Sequence, residues 1–415
     1  MPDSQDFLEI PRGLFEPPSP PGPPLAVVWQ HEDNSEYVTR LSPRTLKERG
    51  RLDLGRRASR VTSFSPDGRK LMTVTWKGRV RIVDVERMSG ETRFPLDLTP
   101  VTGVAWVEDS LAIATVGGSD GTEFVAFDPW TERIMNTEAV AGSPFAQDQT
   151  AHGVVALLHD TTPGQGPGAT TIAVYDSADG LSTASLEEVR SGFYLPEGDE
   201  LYTQLMPGLA VRGSLAVVVG TDGAIVTVDL DTLAVRMQGR GLSLFEKAAA
   251  WLVPPAHAKA VAGTKLEARW IGSGDLLVTG YRIGVTRETE YSTTEHPEPA
   301  GALVLDSDDW TARVIDEEAT LARRAGDLLL VSRDLVPGDE PGDGIGVRAY
   351  DLDGRPAWET LGTSFAEVVS VHRGTALVRH GWRRVLISSI DLDTGEVLRT
   401  KPLTASFPPE SGPAI

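Results

Sequence analysis

The sequence predicts an all-β protein: a β-propeller of eight four-stranded blades, with seven blades as the alternative. Three observations lead to this prediction: short runs rich in Val, Ile, Leu and Thr, turn residues between the runs, and a repeated strand that ends at an Asp. A small sheet cannot bury both of its faces alone, whereas sheets packed face to face around an axis can. A large β-sandwich would not need such a repeat.

The repeat is marked by an apolar strand that ends at an Asp and continues into a polar turn. Ser42 takes the position of the Asp in an additional early copy. The Asp copies are Asp84, Asp128, Asp176, Asp229, Asp306, Asp351 and Asp391. Their spacing is mostly about 40 to 50 residues, with one longer gap before Asp306. Together with the copy at Ser42, they indicate eight units.

Two segments depart from the strand pattern. Residues 1–24 end in EPPSPPGPP and are predicted to form a Pro-rich N-terminal extension. Residues 25–415 are predicted to form a single propeller domain, interrupted by a helical insertion at about 243–263. In that insertion, Ser243 and Glu246 form a capping-box pattern ahead of Ala-rich helix formers, and Pro254 ends the helix.

The two ends of the chain predict how the propeller closes. The first unit has no inner strand before it, whereas PLTASFPPESG at 402–412 is similar to RVTSFSPDG at 60–68. We therefore expect the C-terminal segment to pair with the N-terminal unit in one sheet, which satisfies otherwise unpaired edge groups. Residues 7–10 are the other candidate for this inner strand.

Individual units resemble known propeller repeats. The stretch FSPDGRKLMTVTWKGRVRIVDV at 64–85 resembles a WD-repeat blade, although it lacks the Gly-His dipeptide and has Val83-Asp84 in place of Trp-Asp. GVRAYDLDGRPAWETLG at 346–362 and LISSIDLDTGEVLRTK at 386–401 are more similar to pyrroloquinoline-quinone-type repeats. Both resemblances imply a propeller fold, and neither implies an activity.

The resemblance also implies that the loops joining the second and third strands of every blade lie on one face, here called the b–c face. These loops contain aromatic, basic and His residues, whereas the opposite corners read Pro-Asp-Gly or Gly-Ser-Gly-Asp. Aromatic residues and Arg are enriched at binding hot spots, so we expect a partner to bind there. The candidate binding residues are Trp29, His31, Trp76, Lys77, His159, Asp160, Tyr281, Arg282, Arg333, Asp334, His380 and Trp382.

Three of these loops are long, at residues 161–168, 283–300 and 335–344. Long loops inside a compact array are usually functional or disordered. Their Pro, Gly, Glu and Thr content predicts mobile flaps over the b–c face.

The residue pattern favours a non-enzymatic scaffold that binds a protein or peptide through the b–c face. The alternative is a propeller-type hydrolase or lyase, with a site at the channel mouth built from His159-Asp160, Arg333-Asp334 and His380. The G-x-S-x-G match at 117–121 precedes a strand instead of a helix, and therefore predicts a hairpin loop. The His residues lack metal-binding spacing, so we assign no catalytic residue, metal or cofactor; a quinone is a weaker third possibility.

Composition limits the partners and the compartment. A net charge of −20 disfavours nucleic acid and anionic membrane surfaces. No apolar run approaches the roughly 20 residues of a membrane helix, so direct membrane insertion is not expected. The chain has no Cys and no signal segment. We expect an acidic, soluble monomer in the cytoplasm, or outside it if the N-terminus is processed or trimmed.

Overall fold

The computed structural model describes residues 26–32, 35–56, 60–118, 121–159, 168–194, 203–240, 263–272, 274–289, 292–334, 342–381 and 385–402. These ranges contain strands and turns but no helix. The predicted extension at 1–24, the predicted helix (apart from Gly263) and the C-terminal segment 403–415 lie outside the described residues.

Twenty of the 33 strands in the described ranges lie before residue 241. In chain order they are β1 (Ala26–Glu32), β2 (Ser35–Leu41), β3 (Glu48–Arg56), β4 (Arg60–Phe64), β5 (Lys70–Thr75), β6 (Arg79–Asp84), β7 (Ser89–Pro95), β8 (Val101–Glu108), β9 (Leu111–Gly118), β10 (Gly121–Phe127), β11 (Ile134–Val140), β12 (Ser143–Gln149), β13 (Gly153–His159), β14 (Gly168–Asp176), β15 (Gly180–Tyr194), β16 (Thr203–Met206), β17 (Gly208–Arg212), β18 (Leu215–Val219), β19 (Ala224–Asp229) and β20 (Ala234–Arg240).

The remaining strands follow residue 262. They are β21 (Gly263–Trp270), β22 (Asp275–Thr289), β23 (Ser292–Pro299), β24 (Ala302–Asp306), β25 (Ala312–Asp316), β26 (Leu321–Ala325), β27 (Leu328–Ser332), β28 (Val347–Asp351), β29 (Pro356–Thr360), β30 (Ala366–His372), β31 (Thr375–His380), β32 (Leu386–Asp391) and β33 (Val397–Pro402).

Five groups of consecutive strands form separate four-stranded antiparallel sheets: β4–β7, β8–β11, β17–β20, β26–β29 and β30–β33. This is fewer than the eight, or alternatively seven, predicted from the sequence. The reason is that β1–β3 form a three-stranded sheet, and β12–β16 and β21–β25 are joined into one ten-stranded sheet by the parallel pairing of β16 with β21. The predicted closure by the chain ends involves residues outside the described ranges.

The turn after the third strand of each unit explains the repeated Asp. In all seven Asp copies, the carboxylate Oδ1 accepts a backbone N–H from two to four residues further along, at 2.7 to 3.1 Å. Asp favours turns because its side chain can make this bond to the backbone. The marker therefore has a structural role at the turn between the third and fourth strands.

The same turn contains a left-handed residue in every unit, three or four positions after the marker. Such a conformation suits the tight hairpins that Gly commonly permits. The left-handed residues are Leu46, Met88, Glu132, Gly180, Leu233, Trp310, Gly354 and Gly395. Five of these are not Gly, so the turn geometry in those units is maintained by the flanking strands and the Asp or Ser.

The described residues divide into two compact units. The first comprises residues 57–161 and 171–184. In its core, Val74 and Ile82 of sheet β4–β7 pack with Trp106 and Phe127 of sheet β8–β11. The opposite face of sheet β8–β11 packs on β13 and β14, where the Phe124 and Tyr175 rings stack with centroids 5.8 Å apart.

The second unit comprises residues 25–56, 162–170 and 185–415. Its apolar clusters join β17–β20 to β21–β25, β21–β25 to β26–β29, and β26–β29 to β30–β33. The N-terminal sheet then packs on the last one, where Leu41 and Leu46 contact Leu377 and Ile387. Four-stranded antiparallel sheets packed face to face in succession are the β-propeller fold.

The left-handed residues in these turns lead to a prediction about the free energy of unfolding. Glu132 is exposed and has a φ of 63°. Glu132→Gly should raise the free energy of unfolding by about 0.5–1 kcal/mol, because the strain of an L-residue at positive φ outweighs the greater unfolded-state freedom of Gly. Urea unfolding measures this. Thr137→Gly, in strand β11, is the control and should lower stability; a Glu132→Gly variant that is equally destabilised would contradict the strain argument.

Candidate functional site

The described candidates lie within strands and at strand ends as well as in the connections between strands. Trp76 and Lys77 join β5 to β6, and Tyr281 and Arg282 lie in β22. The remaining described candidates are His159 at the end of β13, Arg333 and Asp334 after β27, His380 at the end of β31, and Trp29 and His31 in β1, paired with Val38 and Glu36. Asp160 and Trp382 lie outside the described residues.

In the first unit, Trp76 and Lys77 form an exposed tip. The Trp76 side chain is 40% exposed, and Lys77 Nζ lies 5.0 Å from the centroid of its ring. The backbone of the tip is fixed because Val101 N–H donates to the Trp76 carbonyl at 2.9 Å. Gly78, with φ of 73°, allows close approach, since a Cβ there would lie 2.7 Å from the Leu98 carbonyl oxygen. The tip therefore presents a positioned aromatic and cationic pair to solvent.

His159 is not available to a partner in the way the sequence suggested. Its residue is 6% exposed, and its ring lies 5.7 Å from the ring of Phe145. It belongs to the first unit, whereas Arg333 and His380 belong to the second. His159 is best described as a buried strand-end residue packed on an aromatic neighbour.

In the second unit, the structure adds a lysine that sequence analysis did not select. Lys265, in β21, is the register partner of Tyr281 in β22. Its Nζ lies 5.9 Å from the Tyr281 ring centroid and 4.0 Å from Glu267 Oε1, and its side chain is only 16% exposed. No motif surrounds Lys265 in the sequence, so only the pairing of β21 with β22 could reveal it.

The groups around Lys265 shift the pKa of its ammonium in opposite directions. Burial lowers the pKa of the Lys265 ammonium, while the carboxylates of Glu267 and Asp334 oppose this effect. Burial prevails, so the pKa lies below its ordinary value. The backbone N–H of Asp334 donates to Thr320 Oγ1 at 2.9 Å, which holds this residue at the end of its sheet. Lys265, Glu267, Tyr281 and Asp334 are called the Lys265 cluster below.

Gly280 allows β21 and β22 to approach at this cluster. A Cβ at Gly280 would lie 2.1 Å from the Lys265 carbonyl oxygen, and the residue has a φ of 155°. Its own carbonyl accepts the N–H of Ala300 at 3.0 Å. The absence of a side chain at this position thus sets the spacing of the strands that position Lys265 and Tyr281.

Arg333 and His380 lie at one junction between sheets, but their side chains have different contacts. The backbone links them: Ala366 N–H donates to the Arg333 carbonyl at 3.0 Å, and Ala366 is the register partner of His380. The Arg333 guanidinium lies 5.9 Å from the Phe365 ring centroid. His380 Nε2 instead lies 2.8 Å from Ser388 Oγ. A joint catalytic role of Arg333 and His380 therefore lacks direct support from these contacts.

His380 begins a buried chain of hydrogen bonds across its sheet. Ser388 Oγ, its partner, also lies 2.8 Å from Thr400 Oγ1. His380 is 8% exposed, and burial lowers its pKa below the ordinary value. The neutral imidazole is therefore favoured, and the chain links the second, third and fourth strands of the last sheet.

The predicted flap at 283–300 is instead largely a hairpin. β22 pairs with β23 in register from Tyr281 with Pro299 to Thr289 with Ser292. Pairing of β22 with β21 ends at Ile283, so only β22 and β23 are paired further out among the described residues. This two-stranded ribbon, residues 284–296, continues the hairpin past the described pairing of β22 with β21, on the b–c side of the sheet. Residues 160–167 and 335–341 of the other two predicted flaps lie outside the described residues.

A second ionic group, in which only the Asp316 side chain is fully buried, also lies on the b–c side, and sequence analysis missed it. Arg348 Nη1 lies 3.0 Å from Asp316 Oδ2 and 2.8 Å from Glu318 Oε2. The Tyr350 hydroxyl donates to Asp316 Oδ2 at 2.9 Å, and burial together with this bond raises the pKa of Tyr350 to about 12. All of these polar groups have partners, so the group links two adjacent sheets and offers no free ligand site.

Two kinds of feature are missing from the described residues. Among them, no group of three His, Asp or Glu residues is placed to hold a metal ion. None of the segments that the structure describes forms a helix long and apolar enough to cross a membrane.

Comparison with known proteins gives similarity of fold. No family model and no curated protein sequence matches the chain. A solved structure of the dihydro-heme d1 dehydrogenase NirN in complex with DHE is similar, with a TM-score of 0.58 and 14% identity over 94% of this chain and 76% of that chain. The computationally designed Ika8 protein has a TM-score of 0.51 and 14% identity, over 83% and 87% of the two chains.

Hydrazine synthase from Kuenenia stuttgartiensis has a TM-score of 0.38 and 15% identity, over 83% of this chain and 80% of that chain. At such identities the likeness to NirN and Ika8 concerns the fold alone. It agrees with the β-propeller predicted from the repeated strands.

The buried His380 leads to a prediction about pH. Because its folded pKa lies below the ordinary 6.5, stability is retained above pH 6.5 and is lost as the pH falls through the folded pKa. The free energy of unfolding of His380→Gln should therefore fall less than that of the wild type between pH 7.5 and 5. Urea unfolding at both pH values measures this. His152→Gln is the control, since the His152 side chain is 68% exposed; an equal effect in both variants would argue against burial as the cause.

Proposed function

We propose that this chain is a non-enzymatic interaction module that binds a protein or peptide through its b–c face. The observation that carries the proposal is the ribbon at 284–296, a hairpin on that side that continues past the described pairing of β22 with β21. An isolated two-stranded hairpin is at best marginally stable in water, so a projecting ribbon is typical of an arm that packs on a partner.

Features of the ribbon limit how the partner binds. Pro297 and Pro299 lie in β23, where each lacks a backbone N–H donor. Pro on an exposed strand discourages unselective pairing with other edges. The ribbon itself, residues 284–296, contains no Pro and keeps its backbone N–H donors. It can therefore pair with a strand from an extended peptide.

The exposed tip of the first unit supports the same proposal independently. Trp76 is among the few large apolar residues exposed in the described part of the chain, and Lys77 lies beside its ring. Trp is enriched at binding hot spots because a large rigid surface is buried at low entropic cost. The net charge of −20 disfavours strongly acidic partners at long range.

An enzyme remains the second candidate function, and the Lys265 cluster is the observation that favours it. A buried ionisable group with a displaced pKa beside two carboxylates is a feature of many active sites. NirN is named as a dehydrogenase in complex with DHE, so one protein of similar fold is an enzyme. The hydrolase or lyase predicted from His159, Arg333 and His380 is less well supported, because His159 and His380 are buried with their own neighbours.

We also propose that the chain forms one propeller of eight blades and acts as a monomer. The left-handed turn occurs in eight units, and two of them lie in the ten-stranded sheet. Splitting that sheet at β16 leaves two four-stranded groups, β12–β15 and β21, β22, β24 and β25. The first sheet, with three strands, then lacks only its inner strand, which residues 403–415 would supply.

The ribbon makes the proposed function testable. Replacing residues 285–295 by Asn-Gly keeps Gly284 and His296 in register across a two-residue turn. This variant should keep its melting temperature within about 2 °C, because the ribbon adds no strand to the core sheet, but should capture its partner at least about tenfold less. Quantitative pull-down with mass spectrometry measures the loss.

Trp76→Ala is the companion variant and should also reduce capture. Arg355→Ala is the matched control, because this exposed residue lies in a turn at the opposite end of its sheet. An unchanged set of captured proteins in both the ribbon variant and Trp76→Ala would rule out the b–c face as the binding surface.

Truncation tests the proposed closure. Deleting residues 403–415 should lower the melting temperature by about 5 °C or more, because the first sheet would lose its inner strand. Deleting residues 1–24 is the control and should have little effect; the reverse pattern would assign the strand to residues 7–10. If neither deletion lowers the melting temperature in differential scanning calorimetry, neither end supplies the strand.

A further inference from the structure

The Lys265 amine has an environment unlike that of an ordinary surface lysine. Its side chain is 16% exposed, and its ring neighbour is Tyr281 at 5.9 Å. On the same side of the sheet, Leu277 joins a buried cluster with Leu329 and Val331 of the next sheet. The amine thus lies near the b–c end of an inter-sheet core, and a small opening to solvent remains.

The cluster does not have the geometry of a simple buried ion pair. The distance of 4.0 Å from Lys265 Nζ to Glu267 Oε1 exceeds that of a direct hydrogen bond. Asp334 acts on the amine through its charge. Arg269 Nη2 also lies 3.4 Å from Glu267 Oε2, so the charges of Lys265 and Arg269 balance those of Glu267 and Asp334 and leave no excess positive charge for a phosphate or carboxylate ligand. The groups are better suited to transferring protons than to binding an anion.

We propose that Lys265 is an amine nucleophile that forms an imine with a small aldehyde or ketone. Three groups at the site serve this chemistry: a desolvated amine, carboxylates that can accept or return a proton, and an aromatic ring against which a small apolar substituent can pack. Lysines act as Schiff-base nucleophiles when burial favours the neutral amine. The limited exposure of the side chain restricts the carbonyl compound to a few heavy atoms.

The reaction balances without a metal or a redox partner. The Nζ lone pair adds to the carbonyl carbon, and one of the two Nζ protons is transferred to the carbonyl oxygen, which gives the carbinolamine. The carbinolamine loses a proton from nitrogen and its hydroxyl leaves as water, giving the imine. Glu267, at 4.0 Å, can pass these protons through one water molecule. Water is the only product released.

Competitive labelling of the wild-type protein tests the proposal. The protein is treated with acetaldehyde and sodium cyanoborohydride, which reduces the imine to a stable ethylamine, and each lysine is followed by peptide mass spectrometry. At pH 7, Lys265 should be labelled at least about fivefold faster than the exposed Lys77 and Lys401. The ratio should fall at pH 9.5, because exposed lysines then also become neutral. Among the described residues, Glu267, Tyr281 and Asp334 are the titratable groups known to act on or contact the amine, and Arg269 contacts the same Glu267.

A lysine with a purely structural role would be protected by burial and labelled more slowly than Lys77 at both pH values; that result would overturn the proposal. Asp334→Asn removes a carboxylate that favours the charged amine and should accelerate labelling at pH 7. Asp327→Asn, an exposed residue at the opposite end of strand β27, is the control and should not. Because labelling needs no bound partner, its outcome is independent of the proposed interaction face.

Discussion

The constraint on which the structure depends is that each small sheet has two apolar faces to bury. In the first unit, the faces of sheet β8–β11 are covered by different neighbours, through Trp106 on one side and Phe124 on the other. In the second unit the same requirement joins five sheets in succession. Burial of apolar area is the dominant favourable term in folding. The residues that face neighbouring sheets must therefore stay apolar, whereas the residues at strand ends and in loops can differ from unit to unit.

That constraint decides which polar groups are available for function. Side chains that point between sheets must find partners there, as Asp316 does with Arg348 and Tyr350, and His380 with Ser388. Residues at the ends of the second strands can instead reach solvent, as Trp76 does. Lys265 lies between these cases, because its side chain is 16% exposed and Glu267 Oε1, at 4.0 Å, is too far from the amine for a direct hydrogen bond.

The repeat, and with it the fold, could be predicted from sequence because the Asp turn has a local cause. Each marker Asp accepts a hydrogen bond from a backbone N–H within four residues. Because this interaction is local, it favours Asp at the same position of each unit, and the repeat can be recognised in the sequence. The site was less predictable. Lys265 and Tyr281 meet through strand register, and the exposure of His159 depends on distant packing, so neither follows from the residues around them. Residues 283–300 were predicted as a loop because of their Pro, Gly, Glu and Thr content, although most of them form a hairpin.

The packing of the N-terminal sheet on the last one has a consequence for biosynthesis. Leu41 and Leu377 are in one apolar cluster although more than 300 residues separate them in the chain. During vectorial synthesis, the apolar face around Leu41 has no native cover until nearly the whole chain has emerged. Contacts between residues so far apart in the chain slow folding. Until they form, the exposed apolar surface can aggregate or bind chaperones. We therefore expect the yield of folded protein to be limited by the emergence of sheet β30–β33. Conditions that delay self-association of the N-terminal sheet β1–β3 should increase that yield.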